Sequence, residues 1–262
     1  MSFSAQDVKA LRDKTGLGMM DCKKALARSD GDSVAAEEWM REERKGKMDT
    51  RTERATGEGL IGIKLGNGTA AMIEVCTETD FTARTDAFKE MVDAILTATL
   101  SMDDGEISAD DTIQKEVDDV RITTGENVNF SRGIKITGGT FGSYVHHDGK
   151  RAVLLQVDGV VDAELLKGIC QHIVFHDPMG IDEDSVPAEK IESIRADAIQ
   201  QARDTGKPDE IAEKMSEGKV RKYLQEHTLV HQKYVLDESV TVGSLLPEGI
   251  AISSFVRYTL GG

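Results

Sequence analysis

The chain repeats a pattern of strand hairpin, helix and strand, and this internal repeat limits its fold more than any other feature of the sequence. The first hairpin pattern covers residues 60–75 and turns at Asn67-Gly68, and the second covers residues 141–157 and turns at Asp148-Gly149. Asn-Gly and Asp-Gly are strong hairpin signals because these residue types tolerate the positive φ that a tight turn between strands requires. Repetition at this scale predicts two related structural units.

A helical pattern follows each hairpin, and an alternating strand pattern ends each half. The helical patterns fall at residues 85–100 and 163–176, and the closing strands at residues 128–137 and 250–259. This order is typical of an α+β fold, in which helices pack on a small antiparallel sheet. The two predicted core subdomains are residues 55–139 and residues 140–262.

The two halves differ by an insertion in the second. Residues 187–228 are helical in pattern throughout, apart from a break at residues 205–209. Apolar positions on both sides of the break predict an antiparallel helical hairpin that projects from the second subdomain, with Ile211 and Met215 in its seam. The first half has a single helical pattern at the equivalent place, residues 108–123.

The first 54 residues have the pattern of a helical module. Periodic apolar residues predict three short helices within residues 4–44, with Ser4 as the cap of the first helix and a glycine-containing turn at residues 15–18. Residues 41–57 are rich in charge and almost free of apolar side chains, so they are predicted to be a linker. Residues 1–54 are therefore the predicted N-terminal domain.

The distribution of charge argues against nucleic acid as a direct partner. The net charge is −15, and it is uneven: residues 1–54 hold 12 Lys and Arg against 11 Asp and Glu, whereas residues 55–262 hold 20 against 36. An acidic surface repels a phosphate backbone, and neither a basic stripe nor an interleaved set of aromatic residues offsets this repulsion. A protein is the better candidate partner.

Short apolar runs and few cysteines predict a cytosolic protein. The longest apolar runs cover only a few residues, such as residues 94–96, and residues 1–7 lack the basic and apolar regions of a secretory signal. No membrane span is therefore predicted. Cys22, Cys76 and Cys170 lie far apart in the sequence and are odd in number, which fits a reducing compartment.

The sequence indicates neither an enzyme nor a cofactor. It lacks a Gly-x-x-x-x-Gly-Lys-Ser/Thr phosphate loop, and the glycines of residues 57–62 enter a strand pattern instead of opening a helix. His172 and His176 are four residues apart on a predicted helix, but Ile173 stands where a His-Glu-x-x-His zinc protease needs its glutamate. No metal site is predicted. A metal-dependent hydrolase stays open as a rival, which stoichiometric metal in the purified protein would support.

Two segments resemble the signatures of the elongation factor Ts family. They are residues 11–26 (LRDKTGLGMMDCKKAL) and residues 74–81 (EVCTETDF), the second built around a Thr-Asp-Phe tripeptide. Shorter matches occur at residues 125–128 (GENV), 143–146 (SYVH) and 206–215 (GKPDEIAEKM). The resemblance extends over essentially the whole chain.

The resemblance implies a guanine nucleotide exchange factor that acts on the translational GTPase elongation factor Tu and needs no cofactor of its own. It implies that residues 1–54 are a ubiquitin-associated-like module that docks on the GTPase. It also implies that the Thr-Asp-Phe segment points toward the magnesium and phosphate region of the partner. The positions that match partner contacts of the family are Arg12, Met19, Met20, Lys23, Thr79, Asp80, Phe81, Gly125, His146, His172, Val235 and Leu236.

Simpler interpretations stay open from the residues alone. Met20 also fits the core of its helix bundle, and Phe81 also fits a staple that packs on the next helix. The core could merely display the N-terminal module, as in a ubiquitin-associated scaffold. A monomer, a homodimer and a 2:2 complex with the partner are all compatible with the sequence.

Overall fold

The computed structural model describes residues 3–50 and 52–262, apart from the side chains of residues 47–49. Parts of two expectations, the missing secretory signal and the linker, fall on Met1, Ser2 and Arg51 and lie outside the described residues. The chain forms two compact units: the first takes in the N-terminal part up to Lys64, Ala71–Ile136 and Thr259–Gly262, and the second takes in Leu65–Ala70 and Thr137–Tyr258. Both combine helices with small sheets, so the predicted α+β class is confirmed. No helix of the described residues is long and apolar enough to cross a membrane.

Three helices open the first unit: α1 (Ala5–Thr15), α2 (Met19–Arg28) and α3 (Ser33–Asp49). Ser4 caps α1, since its Oγ accepts from the N–H of Asp7 at 3.3 Å while the Asp7 carboxylate accepts from the N–H of Ser4 at 2.7 Å. Gly16 ends the helix with a φ of 68°, a left-handed conformation that suits glycine. The helices share a core of Val8, Leu11, Leu17, Cys22, Ala25, Leu26, Ala36 and Met40.

The first unit also contains most of a four-stranded sheet. Its strands are β1 (Glu58–Leu65), β2 (Thr69–Thr77), β3 (Gly105–Ile107) and β4 (Val128–Thr137), in the order β1-β2-β4-β3, with β3 antiparallel to β4. The accompanying helices are α4 (Asp80–Ala83), α5 (Asp86–Thr99) and α6 (Asp111–Thr124). Apolar side chains of β2, α5 and α6 form the core, among them Ile73, Val75, Phe88, Ile95, Ile113 and Val117.

Helix α3 extends further than the sequence predicts, because its charged C-terminal half packs on α6. Arg41 pairs with Asp119 at 2.7 Å, and Lys45 pairs with Asp118 at 3.1 Å. The prediction that residues 41–49 belong to a linker is therefore wrong, since these residues are helical and Arg41 and Lys45 have partners on another helix. The domain boundary at residue 54 and the ubiquitin-associated-like character of the module stay predictions.

The second unit contains a three-stranded sheet, a two-stranded sheet and three α-helices. The strands are β5 (Thr140–Val145), β6 (Arg151–Val157), β7 (Lys233–Tyr234), β8 (Asp237–Thr241) and β9 (Ile252–Thr259), in the orders β5-β6-β9 and β7-β8. The helices are α7 (Ala163–His176), α8 (Ala188–Asp204) and α9 (Asp209–His227). The core lies between β6 and α7 and includes Val153, Leu155, Leu166, Ile169, Ile173 and Leu229.

The internal repeat has a counterpart in helix packing. Each hairpin brings a glycine of its first strand beneath the helix that follows. A Cβ at Gly62 would lie 2.7 Å from Cγ1 of Val92, and a Cβ at Gly142 would lie 2.7 Å from Cβ of Leu166. Both distances are far shorter than a van der Waals contact, so glycine is what allows helix and strand to approach this closely in each half.

Helices α8 and α9 pack against each other through small side chains. The buried positions of the pair are Ala198, Ala202, Ala212, Ser216 and Val220. Ile211 and Met215 are 45% and 42% exposed, so the prediction that they lie in the seam is wrong. Small residues let two helix axes come close together, and this leaves the longer side chains at the flank of the hairpin.

Candidate functional site

The chain between β2 and α5 displays Phe81 to solvent. Thr79 caps the short helix α4, because its Oγ1 accepts from the N–H of Thr82 at 3.3 Å. Asp80 pairs with Arg84 at 2.9 Å on the surface, and Phe81 is 79% exposed. The interpretation of Phe81 as a staple on the next helix is therefore wrong. We call the connection formed by residues 78–85, which contains the single turn α4, the Phe81 loop. An exposed aromatic side chain on such a hydrogen-bonded connection is suited to contact with another protein.

The turn after α6 holds this loop through a carboxylate. Gly125 ends α6 with a φ of 74°, and Glu126 follows it. The Glu126 carboxylate accepts from Oγ1 of Thr77 at 3.0 Å, and from the N–H and Oγ1 of Thr79 at 3.1 and 2.7 Å. Partial burial raises the pKa of Glu126, but hydrogen bonds from threonine hydroxyls and a backbone N–H outweigh that effect, so the pKa lies below its usual value. Glu126 is therefore ionised at neutral pH.

Met19 and Met20 begin α2 on the surface of the three-helix module. They are 47% and 73% exposed, while Cys22 on the same helix is fully buried. The interpretation of Met20 as a core residue is therefore wrong. Arg12 and Lys23 are exposed as well, so flexible apolar side chains and positive charges are both available on this module.

His172 is fully buried in the second unit and uses both ring nitrogens. Its Nδ1 accepts from the N–H of Val235 at 3.2 Å, and its Nε2 lies 2.9 Å from Oε1 of Gln232. The Val235 bond requires a lone pair on Nδ1, so the proton is on Nε2, which donates it to Gln232. Burial lowers the pKa of His172; the Gln232 bond opposes this in part, and the neighbouring ring of His176 adds to it.

The same geometry separates His172 from both a partner and a metal ion. The side chain has no exposed surface, and neither ring nitrogen keeps a free lone pair for a metal. His176 stacks on it at 4.4 Å with the rings 21° from parallel. Among the described residues, no three His, Cys, Asp or Glu side chains are placed together to hold a metal ion. The predicted contact residue His172 therefore lies beneath the surface, under residues that it positions.

Leu236 is the exposed residue next to this buried histidine. It lies in the turn between β7 and β8 and is 68% exposed, whereas Val235 is half-buried. Tyr234 packs closely on α7 at Gly168. A Cβ at this glycine would lie only 2.0 Å from Oη of Tyr234. The turn is thus anchored by the Val235 N–H on one side and by Tyr234 on the other, and it presents Leu236 outward.

His146 follows β5 and lies beside an exposed phenylalanine. Its Nδ1 is 3.0 Å from Oη of Tyr144, and its ring meets the ring of Phe175 edge to face at 6.1 Å. Phe175 is 60% exposed at the C-terminal end of α7. Sequence reasoning misses Phe175 as a surface residue, because it follows directly on the buried residues of α7.

Three further polar residues are missed by sequence reasoning. Glu126, Asn127 and Gln232 each act through hydrogen bonds to residues that are distant in the chain: the separations are 47 positions for Glu126 and Thr79, and 60 for Gln232 and His172. The available signal was a Gly-Glu-Asn turn immediately after a helical pattern, since polar residues at such a turn often bond to neighbouring loops.

The structure divides the predicted contact residues between the two units. The first unit holds Arg12, Met19, Met20, Lys23, Thr79, Asp80, Phe81 and Gly125, and the second holds His146, His172, Val235 and Leu236. Gly125 offers only backbone. Each unit therefore presents its own set of exposed side chains, supported by its own hydrogen-bonded residues.

Known proteins resemble the chain over its full length. The family model described as Elongation factor TS matches residues 78–262. The protein named Elongation factor Ts from Jannaschia sp. is 39% identical, over the whole of this chain and 93% of the relative. Proteins of the same name from Dinoroseobacter shibae and Brucella anthropi are 38% and 37% identical, again over the whole chain and 93% of each relative.

Proposed function

The chain belongs to the elongation factor Ts family, and we propose that it releases GDP from the GTPase elongation factor Tu by binding the nucleotide-free form. The observation that carries the proposal is the 79% exposure of Phe81 on a loop that Glu126 holds in place. Burial of an exposed aromatic side chain by a partner lowers the free energy of the complex, and a fixed backbone limits the entropy that is lost on binding. As a translation factor, the protein acts in the cytosol.

Exchange needs no covalent chemistry, because it follows from the linkage of two binding equilibria. A factor that binds the empty GTPase more tightly than the GDP-bound form must weaken GDP binding by the same ratio. Each tenfold gain in release rate needs a barrier lower by about 1.4 kcal/mol. Contacts that form only while GDP leaves supply that reduction, and no cofactor takes part.

Asp80 and Phe81 act on the nucleotide site in this proposal. Phe81 is the wedge that displaces an element of the partner near the phosphates. The Asp80 carboxylate lies next in sequence and is itself partly exposed, so it disturbs the magnesium ion, for which carboxylates are ligands. Thr79 supports both residues, since its cap fixes the direction in which α4 begins.

The N-terminal helices supply affinity. Met19 and Met20 offer an adaptable apolar surface, and Arg12 and Lys23 add positive charge on the same module. Exposed thioether side chains adapt to the shape of a partner surface, and charges at the rim favour association. These four residues therefore dock on the GTPase domain while the Phe81 loop acts on the nucleotide site.

The second unit contributes a contact of its own. Leu236 and His146 are the surface residues of this contact, and Val235 fixes the turn that carries Leu236. His172 takes part as a positioning residue, because its buried ring accepts the Val235 N–H and meets no solvent. Gly125 acts in the first unit by the same principle, since its backbone sets the course of the turn that holds the Thr79 loop.

Release of a fluorescent GDP analogue from elongation factor Tu tests the proposal. The release rate should rise with the concentration of this protein and reach a plateau. A rate that stays at the spontaneous value, over concentrations at which the two proteins form a complex, contradicts the proposal. Light scattering of the purified complex separates a 1:1 assembly from a homodimer or a 2:2 complex.

A further inference from the structure

We propose that Glu126 is a positioning residue for nucleotide exchange: its carboxylate fixes the direction in which the Asp80-Phe81 loop meets the partner. The inference rests on the proposed function and deepens it. Glu126 itself lies behind the loop and does not belong to the predicted contact residues. It acts through Thr77 and Thr79.

Residues 77–79 and residues 126–127 are joined by hydrogen bonds in both directions. The Glu126 carboxylate accepts three, from Thr77 Oγ1 and from the N–H and Oγ1 of Thr79. In return the Glu78 carboxylate accepts from the N–H of Asn127 at 2.7 Å. Each of the two glutamates thus accepts from the backbone N–H of the residue that follows the other glutamate. A loop held at both faces in this way has few orientations open to it.

Asn127 extends the same network to the chain that leaves the N-terminal helices. Its Nδ2 donates to the carbonyl oxygens of Thr52 at 3.1 Å and Arg54 at 2.9 Å. The guanidinium of Arg54 pairs with Glu78 at 3.3 Å. The segment after α3 and the segment after β2 are therefore fastened to one turn, at residues 126–127.

Helix α6 supports both groups of proposed contacts in the first unit. Its body binds α3 through Lys45 and Asp118, and Arg44 donates to the carbonyl of Ile122 at 2.7 Å. The turn after its C-terminus binds the Phe81 loop through Glu126. Helix α6 therefore contacts both the three-helix module that carries Met19 and Met20 and the connection that carries Phe81. It fixes the distance between these two proposed contact surfaces.

The chemistry of the contact explains why a charged carboxylate is suited to this position. The groups that face Glu126 are the Thr79 N–H and the hydroxyls of Thr77, Thr79 and Thr82, all of which can donate, and an ionised carboxylate is an acceptor at both oxygens. Glutamine at this position would place its NH₂ group at one of the two oxygen positions. At one position the Thr79 N–H loses its acceptor, and at the other the Thr79 hydroxyl must reverse from donor to acceptor, although it already accepts from the N–H of Thr82. The loop would keep its sequence but not its orientation, and small misplacements of a reacting group reduce rates steeply.

Stopped-flow release of fluorescent GDP from elongation factor Tu tests the inference, with wild type, Glu126→Gln and the exposed control Glu106→Gln. We expect Glu126→Gln to lower the maximal release rate about tenfold, with nearly unchanged half-saturation, since docking by the N-terminal helices survives. Glu106→Gln should match wild type. In an Asp80→Ala/Phe81→Ala background, Glu126→Gln should cause little further loss, because Glu126 acts through those two side chains.

Two results overturn the inference. One is a wild-type maximal rate for Glu126→Gln; the other is an undiminished effect of Glu126→Gln when Asp80 and Phe81 are both already alanine. Should Glu126→Gln fail to fold by circular dichroism, Thr77→Val decides, because it removes one hydroxyl and keeps the side-chain shape. A smaller fall in maximal rate supports the inference, and wild-type release overturns it. Failure of the proposed function is distinct, since wild type itself would then not accelerate release.

Discussion

The backbone N–H of Val235 donates to Nδ1 of His172, 3.2 Å away, across 63 positions of sequence. The bond fixes the turn between β7 and β8 and requires an imidazole without a proton on Nδ1. The other ring nitrogen donates to Gln232, whose Nε2 in turn donates to the carbonyl of Glu226 at 2.8 Å. The turn that carries exposed Leu236 is therefore held by a neutral histidine ring.

Acid should destabilise the second unit through His172. The pKa of this buried ring is below its ordinary value of 6.5, so the unfolded chain binds its proton more readily than the folded protein. The stabilisation from the neutral ring is complete above about pH 6.5 and is lost as pH falls below it, by at most about 1.4 kcal/mol per pH unit. Urea unfolding between pH 7.5 and 5.5 measures this loss.

The matched comparison for this prediction uses two single variants. His172→Gln should be less stable than wild type at pH 7.5, and the difference should shrink toward pH 5.5. His147→Gln replaces an exposed histidine and should keep the wild-type pH profile. A constant difference between His172→Gln and wild type across the range would show that no proton uptake by His172 is linked to unfolding.

Removal of the N-terminal helices should leave a folded but weakened core. Truncation before residue 55 removes Lys45, which is one partner of buried Asp118 beside Arg121, and the two carbonyl groups that Asn127 binds. Truncation before residue 51 keeps those carbonyls and should melt at a higher temperature than the shorter chain. Each kcal/mol lost corresponds to about 2 to 4 °C in a chain of this size. Calorimetry of both forms measures the order.

The affinity of the truncated forms for elongation factor Tu distinguishes docking by the N-terminal helices from the alternative in which the core only displays these helices. Both truncated forms should bind nucleotide-free elongation factor Tu more weakly than wild type, yet still accelerate GDP release at high concentration. A truncated core that binds as tightly as wild type contradicts docking by Met19 and Met20. A folded core that never accelerates release favours the scaffold, in which the core only displays the helices.

The helical hairpin should be removable if its base is kept. Deletion of residues 191–221, with a short flexible bridge, should preserve most exchange activity, because the seam between α8 and α9 is internal to the hairpin. Deletion of residues 188–226 also removes the Glu226 carbonyl that Gln232 binds. That loss should cost about 1 to 3 kcal/mol of unfolding free energy. Complete loss of release by the folded shorter deletion would identify the hairpin as a primary contact.

The sequence predicts those parts of the fold whose causes are local. Asn67-Gly68 and Asp148-Gly149 mark the hairpins because tight turns need residues that tolerate positive φ, and Ser4 marks the start of α1 through its own capping bonds. The Thr-Asp-Phe signature follows directly after β2, but Asp80 and Phe81 lie in the single helical turn α4 and not in an irregular loop. The hairpin turns and the cap depend on neighbours within a few positions, which a linear pattern contains.

Features with distant causes escape prediction. The many charges of residues 41–49 suggest a linker, but Arg41 and Lys45 pair with Asp119 and Asp118, which lie more than 70 positions away in the sequence. Strand β3 has three residues, too few for a periodic signal. Ile211 and Met215 are apolar, yet they lie outside a seam formed by smaller side chains. His172 matches a contact position of the family, yet it is buried and holds the turn that carries Leu236. Burial in each case depends on what packs opposite.

Replacement of Asp80 and Phe81 by alanine should leave the fold almost unchanged. Phe81 is mostly exposed, and the Asp80 pair with Arg84 is a surface ion pair that adds little stability. We expect a change under about 0.5 kcal/mol in the free energy of unfolding, measured by urea titration. Val160→Ala, at an 88% exposed position outside the predicted contacts, is the control. A large fall in melting temperature would identify Phe81 as a structural residue.

The maximal rate of GDP release from elongation factor Tu by Asp80→Ala/Phe81→Ala tests the central claim most directly. Wild type, the double variant and Val160→Ala are compared at saturating concentration, with affinity for the nucleotide-free GTPase measured on the same preparations. The account predicts that the double variant binds nearly as well as wild type but releases GDP at least about tenfold more slowly, a barrier higher by about 1.4 kcal/mol. A wild-type maximal rate with intact binding would contradict it.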